Sequence, residues 1–284
     1  MRFRLASLLF ARFGRALLLL LVGAVAAPGL ACAQNPAAPL CIGETFTLAS
    51  TVLGETRRVN VYVPPIYRDS AGIRLPVLYM PDGGLAEDFL HVAGLVQVLV
   101  SNGTMRPFVL VGIENTARRR DLTGPTTNPE DRKIAPRVGG AAAFRHFIRT
   151  ELMPAIRQRY RTTAETAIVG ESLAGLFIVE TFLQEPDLFD TYLAFDPSLW
   201  WNNKYLVGQS DKLLRAYTGP SKTLYLSASS QPDIAEDTRR LATTLRATTK
   251  PNVTWHYEPL PQETHATIYH PAALRAFRTV FKPH

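Results

Sequence analysis

From residue 75 onward, short uninterrupted apolar runs alternate with segments of helical spacing, and this rhythm restricts the fold more tightly than any other feature of the chain. LPVLYMP (75–81), FVLVGIE (108–114), TAIVG (166–170), TYLAF (191–195), SKTLYLSAS (221–229) and NVTWHYEPL (252–260) read as strands. LAEDFLHVAGLVQVLV, AAAFRHFIRTELMPAIRQRY, SLAGLFIVETFL, NKYLVGQSDKLLRAY, AEDTRRLATTLRATT and PAALRAFRTVF lie between or after them and read as helices. A strand that is apolar at successive positions has to be covered on both faces. Alternation then requires crossover connections, so the expected architecture is α/β, with a mostly parallel central sheet and helices on both faces. Ahead of this pattern, FTLASTVLGETRRVNVYVPP predicts an antiparallel hairpin around Gly54-Glu55. In the long helical segment Phe144, Phe147, Ile148, Leu152 and Ile156 share one face, and Pro154 is expected to bend or restart the helix.

The first 33 residues are set aside from this pattern. Arg2, Arg4, Arg12 and Arg15 precede the apolar run ALLLLLVGAVAA, and the small-residue stretch Ala31-Cys32-Ala33 follows, the order of a signal peptide cleaved after Ala33. The apolar run is shorter than the roughly 20 residues of a spanning helix, which argues against a retained anchor. Cys32 admits a lipoprotein reading, although Gly29 stands where a lipobox usually carries leucine. The expectation is a periplasmic or secreted protein whose residues 34–284 form one domain. Without residues 1–33, Lys+Arg falls from 31 to 27 against 24 Asp+Glu, so the formal charge drops from +7 to +3. That balance and the absence of interleaved basic and aromatic residues exclude a nucleic-acid stripe. Cys41 is then the sole cysteine, so an internal disulfide is excluded and the fold must stand on its core.

Open parallel sheets carry their reactive groups on the loops beyond the carboxyl ends of the strands. Ser172 lies there, in AIVGESLAGLF, between a strand and a helix and flanked at two residues by Gly170 and Ala174. This is the context of a nucleophile elbow, in which a cramped turn lifts the hydroxyl out of the sheet and small neighbours avoid collision. A helix N-cap is the alternative role for a serine at that position. The hydroxyl needs a base, and among six histidines His265 sits in LPQETHATIYHPA, after the last strand and before the closing helix; His270 is the competitor. The two do not have the spacing of a metal site. A carboxylate is expected after the preceding strand to hold the imidazole. There SASSQPDIAEDT offers Asp233, the residue chosen, with Glu236 and Asp237 as alternatives. The backbone N–H groups of Leu173 and Gly84 are the expected oxyanion donors.

Several blocks, VLGETRRVNVYVPP, LPVLYMPDGG, GIENTARRRDLTGP, VGESLAGLFIVETFLQEPDLFDTYLAFDPSLWW and ETHATIYHPAALRAFRTVF, resemble those of the α/β-hydrolase esterases grouped as the Putative esterase family. That family includes ferric-siderophore esterases and relatives of the acyl-transferring mycolyltransferases. The resemblance covers nearly all of the chain after residue 33, and implies an α/β-hydrolase fold with Ser172 as nucleophile and His265 as base. The family more often shows His and Gly where this chain has Glu171 and Ala174, and no acid near SASSQPD lines up cleanly, which leaves a Ser-His dyad open. Trp200 and Trp201 are candidates for an acyl or aryl pocket wall, and Arg118, Arg119 and Arg120 for an anionic substrate, with Glu171 as a partner for those arginines. The sequence thus implies a serine esterase that needs no cofactor or metal and acts on a small-molecule ester through an acyl-enzyme. Acyl transfer on the same fold, and a non-catalytic binding protein on a hydrolase scaffold, are the alternatives.

Overall fold

The computed structural model describes residues 38–248 and 250–283; the signal-peptide expectation falls on residues 1–33, outside them. The chain divides into two units, Met1–Leu40 and Cys41–His284, and all that follows concerns the second. No helix among the described residues is long and apolar enough to cross a membrane. Cys41 is free and exposed.

Eight strands make one sheet: β1 (Glu44–Ser50), β2 (Glu55–Tyr62), β3 (Leu75–Pro81), β4 (Val109–Ile113), β5 (Thr162–Glu171), β6 (Thr191–Phe195), β7 (Lys222–Ala228) and β8 (Val253–Pro259). Their order is β1-β2-β4-β3-β5-β6-β7-β8. The hairpin predicted around Gly54 is the β1–β2 pair, whose closing register is Ser50 opposite Glu55, and Gly54 takes the left-handed φ of 65° that the turn requires. β2 runs antiparallel to both β1 and β4, and the remaining neighbours are parallel. This is the α/β-hydrolase architecture expected from the alternating pattern.

The helices are α1 (Pro65–Asp69), α2 (Phe89–Ser101), α3 (Arg118–Asp121), α4 (Pro129–Ile134), α5 (Ala141–Phe147), α6 (Met153–Arg159), α7 (Leu173–Gln184), α8 (Trp201–Ala216), α9 (Pro232–Thr248) and α10 (Tyr269–Val280). A π-helical turn, Ile148–Leu152, joins α5 to α6, and Pro154 sits in the first turn of α6. Proline has no N–H to offer the preceding turn, so the expected restart occurs there. The predicted apolar face is retained, since Phe144, Phe147, Ile148, Leu152 and Ile156 are all buried. The short helices α1, α3 and α4 have no counterpart in the sequence reading, because one or two turns are too few to display a period.

Strand alternation divides the core into two layers. Val77, Tyr79, Val111, Ile168, Tyr192 and Ala194 point into a cluster with side chains of α5 to α9. Leu78, Met80, Leu110, Val169, Leu193 and Phe195 point into the other, with α2 and α10. Successive side chains of one strand go to opposite faces, and here both faces are apolar, which is why the strand sequences show no polar alternation. At roughly 25 cal/mol per Å² of apolar surface removed from water, this double burial is the main source of stability. It fixes the strand ends, and the loops beyond them, in a narrow band.

Candidate active site

Ser172 sits between β5 and α7 with φ 62° and ψ −119°. A residue with a Cβ adopts positive φ only at a cost, on the order of 1–3 kcal/mol, when its surroundings enforce it. The enforcing contacts are visible. Ser172 N–H donates to Phe195 O at 3.1 Å, while Ser172 O accepts from Leu176 N–H at 2.9 Å and Ser198 N–H at 3.1 Å. A Cβ on Gly170 would come within 2.6 Å of the Ala174 methyl, and one on Gly175 within 2.9 Å of Phe195 O. Gly170 must therefore be glycine for the strand to meet the helix, and Gly175 for the helix to lie against the β6 loop. Alanine is accommodated at 174 because the absent side chain of Gly170 leaves room for its methyl. The Ser172 side chain makes no capping bond to the helix, so the N-cap role is not the one it plays.

The hydroxyl faces an imidazole. His265 Nε2 lies 3.1 Å from Ser172 Oγ, and His265 Nδ1 lies 2.6 Å from Asp196 Oδ2. Ser198 Oγ is a further neighbour of Ser172 Oγ at 3.5 Å. The His265 loop is tied down by Ser230, whose N–H and hydroxyl both donate to Glu263 O, and by Thr264 and Thr267, whose hydrogen bonds start the turn into α10. His270, the competing histidine, belongs to α10 and packs with His91 at a ring separation of 5.6 Å, away from the serine.

The carboxylate against the imidazole is Asp196, and the expectation of Asp233 is corrected. Asp233 is exposed in the first turn of α9. Glu236 is also exposed and pairs with Arg239, and Asp237 is buried with Lys204 Nζ at 2.9 Å. Asp196 follows β6 rather than β7, is fully buried, and has φ 45°. Its other bonds come from Ser229, the N–H at 2.6 Å and the hydroxyl at 2.8 Å, so the residue just after β7 orients the acid instead of supplying it. The signal in the sequence is the aspartate directly after TYLAF and before Pro197, which ends the strand at the switch from β6 to the tryptophan loop.

Asp196 raises the pKa of His265 above its ordinary value, chiefly through the hydrogen bond; burial opposes this, and the charge of Glu171 adds to it. Glu171, the last residue of β5, is pushed up to about 8, first by burial and further by Asp196 and Asp88, against the opposing charges of His265 and Arg118. Among the described residues, Glu171, Asp196 and His265 are a group whose ligand atoms lie within 4.8 Å of one another. His265 Nδ1 is already committed to Asp196 at hydrogen-bond distance, so the arrangement has the chemistry of a proton relay.

A cavity of about 230 Å³ opens over Ser172 and His265, lined by Arg118, Arg119, Ile134, Trp200, Trp201 and Ile234 among others. Trp200 and Trp201 both line it. Trp201 is buried and its indole N–H donates to Gly124 O at 3.0 Å, while Trp200 is half-buried beside it. They are held by a strap, Asn202-Asn203-Lys204, with left-handed φ of 48°, 53° and 63°. Asn202 N–H donates to Asp131 Oδ2 at 2.8 Å, and its side-chain oxygen accepts from Thr127 N–H at 2.9 Å.

The three arginines have three different fates. Arg118 makes a two-pronged bond to Asp82 at 2.7 and 2.8 Å at the cavity wall. Arg119 also lines the cavity, and its guanidinium donates to Ile134 O. Arg120 is turned away into an ion cluster with Glu55 and Asp121, so it is withdrawn from the substrate-binding group. Glu171 makes no direct ion pair with any of the three; Asp82 has taken its nearest candidate.

Of the two expected oxyanion donors, Leu173 lines the cavity and supplies the first N–H of α7, a group that has no intrahelical acceptor. Gly84 differs from expectation: its N–H donates to Glu87 Oε2 at 2.7 Å, and it borders another hollow with Arg58 and Asn115.

The family model described as "Putative esterase" matches residues 50–270. The ferri-bacillibactin esterase BesA of Bacillus subtilis is 32% identical over 171 residues, 55% of this chain and 59% of that protein. The siderophore triacetylfusarinine C esterase of Aspergillus fumigatus is 33% identical over 192 residues, 61% of each. The chain therefore spans about three fifths of the length of these relatives. An IroE-like serine hydrolase from Shewanella oneidensis superposes with a TM-score of 0.77 at 28% identity, covering 84% of this chain and 80% of that one.

Proposed function

Because the chain belongs to the Putative esterase family, we propose that it is an exported serine esterase that hydrolyses a small-molecule carboxylic ester of siderophore or aryl type through an acyl-enzyme. The observation that carries this reading is the continuous relay from Ser172 Oγ through His265 to Asp196, with links of 3.1 and 2.6 Å. In the reaction His265 Nε2 takes the hydroxyl proton as Ser172 Oγ attacks the ester carbonyl, and Asp196 holds the Nδ1 proton and stabilises the imidazolium. The developing oxyanion meets the Leu173 N–H. Collapse of the tetrahedral intermediate returns the proton from His265 to the leaving alkoxide and leaves the acyl group on Ser172. A water, deprotonated by the same imidazole, then releases the acid.

The substrate class follows from the wall and from the relatives. Trp200, Trp201, Ile134 and Ile234 suit an aryl or acyl body, and Arg118 and Arg119 put positive charge at its edge. One relative is by name a siderophore esterase and another a ferri-bacillibactin esterase, which puts siderophore esters among the candidates. A fixed acid in contact with the imidazole favours catalysis over a binding protein on a hydrolase scaffold. Residues 1–33 are proposed to direct export, a point read by sequencing the amino terminus of the mature chain.

The test is a hydrolysis panel of a siderophore trilactone, an aryl ester and a short-chain acyl ester, wild type against Ser172→Ala. The reading expects serine-dependent turnover with preference for the first two. Equal rates for both proteins on all three esters would leave no serine esterase, and an acylated product on added glycerol would reassign the activity to acyl transfer.

A further inference from the structure

Glu171 is the polar group at the site that the relay above does not use. Its side chain is 15% exposed and its Oε1 lies 3.2 Å from His265 Nδ1. That nitrogen carries one proton, and the proton is directed along the 2.6 Å line to Asp196. Glu171 Oε1 is consequently buried without a hydrogen-bond partner. A buried carboxyl oxygen in that state is held at a cost in desolvation that no partner offsets. The nearest arginine does not relieve it, since both prongs of Arg118 go to Asp82.

From this geometry we propose that Glu171 is a second carboxyl for the imidazole, a positioning residue that supports His265 when the ring carries two protons and that accepts the Nδ1 proton if Asp196 is removed. The imidazole has to serve two oxygens in turn, Ser172 Oγ and then the leaving alkoxide, and it must tilt between them. An acceptor on one side of Nδ1 fixes a single tilt; a second one 3.2 Å away keeps the imidazolium paired across the movement. Glu171 is suited to this because it is anchored by β5 immediately before the nucleophile, so ring and hydroxyl keep their register.

The support depends on ionisation, which burial defers to about 8. The charged and titratable groups facing Glu171 are His265, Asp196, Arg118 and Asp88, with the buried Tyr269 hydroxyl also within electrostatic reach. His265 and Arg118 favour the carboxylate; Asp196 and Asp88 oppose it. Formation of the imidazolium in the transition state shifts that balance toward the carboxylate.

The inference rests on the serine-esterase reading and is tested with an aryl ester in wild type, Glu171→Gln, Asp196→Ala, the double variant and Ser172→Ala. Wild-type kcat/KM is expected to rise with pH in two steps, one as His265 loses its proton and one as Glu171 ionises. Glu171→Gln keeps the side-chain shape but loses the second step of the profile and falls about tenfold at the alkaline plateau. Asp196→Ala retains activity that the double variant loses by a further tenfold or more. A merely structural glutamate would lower activity uniformly without changing the profile. If the Glu171→Gln profile superimposes on wild type, the proposal is overturned, and this arm decides even where Asp196→Ala does not fold. Loss of activity in Ser172→Ala beside an unchanged Glu171→Gln profile removes the second carboxyl alone; persistent activity in Ser172→Ala removes the esterase reading itself.

Discussion

Two buried charge clusters in this molecule are built on opposite terms. At the β2 edge, Arg57 is fully buried and meets Glu55 at 2.9 Å, Asp121 and the Glu114 carbonyl, while Arg120 adds bonds to Glu55 and Asp121. Every charge there has an opposite, and the Arg120 hydrogen bond leads the effects that hold Glu55 down at about 2. At the serine, Asp196, Glu171 and His265 put two carboxyl groups on one imidazole, and Glu171 is driven up to about 8. The first cluster ties the segment 118–121 to the sheet. The second keeps unbalanced charge where a proton has to move. Paired charge secures the scaffold, and perturbed carboxyls gather at the candidate site.

The largest expected contrast between the clusters is in turnover. Ser172→Ala is expected to lower kcat on the order of a million-fold with no loss of thermal stability, because only the hydroxyl is trimmed while the backbone bonds that hold the turn remain; single-turnover kinetics and a melting curve check both halves. Breaking the compensated cluster does the reverse. Asp121→Asn leaves the Arg57 guanidinium short of a counter-charge in the interior, at a cost of about 3–5 kcal/mol, read as a shift of the urea midpoint.

Glu171→Gln separates the clusters by pH. Burial raises the folded-state pKa of Glu171 above 4.5, to about 8, so its contribution to stability is intact below the lower value and is lost as pH rises through the higher one. Glutamine does not titrate. The variant should match wild type in acid and exceed it by roughly 1–3 kcal/mol above the higher value, after discounting for residual exposure, as measured by denaturant titrations across the range. In the uncompensated cluster the raised pKa of His265 also moves the acidic fall of kcat/KM above the ordinary imidazole value. The smallest effect is Asp233→Ala. An exposed carboxylate in the first turn of α9 touches neither cluster, so activity should stay within about twofold and stability within about 0.5 kcal/mol; a large loss of activity would return the acid to the β7 loop.

How far the sequence reached differs between these regions for physical reasons. The strands were legible because burial on both faces leaves them apolar at every position, and Ser172 because a strand, a cramped turn and a helix follow one another within a few residues. His265 was legible from chain order. Asp196 was not, since a single aspartate after TYLAF looks like an ordinary turn until its positive φ and the Ser229 bonds aim it at the ring. Arg120 looked like a substrate ligand because its partners, Glu55 and Asp121, are brought to it by tertiary pairing. The left-handed strap at Asn202–Lys204 is likewise set by Asp131 and Thr127 from another segment, so the helix expected from Asn203 becomes regular only after Lys204. Glu87 capturing the Gly84 amide is of the same kind, a side-chain contact with no periodic signature.

The most direct measurement of the central claim is intact and peptide-level mass spectrometry of the full chain quenched during turnover of a slowly deacylating aryl ester. The account predicts one acyl group, mapped to Ser172, that is absent from Ser172→Ala and accumulates poorly in His265→Ala. Continued hydrolysis with no acyl group on Ser172, or with the group on another residue, would contradict it.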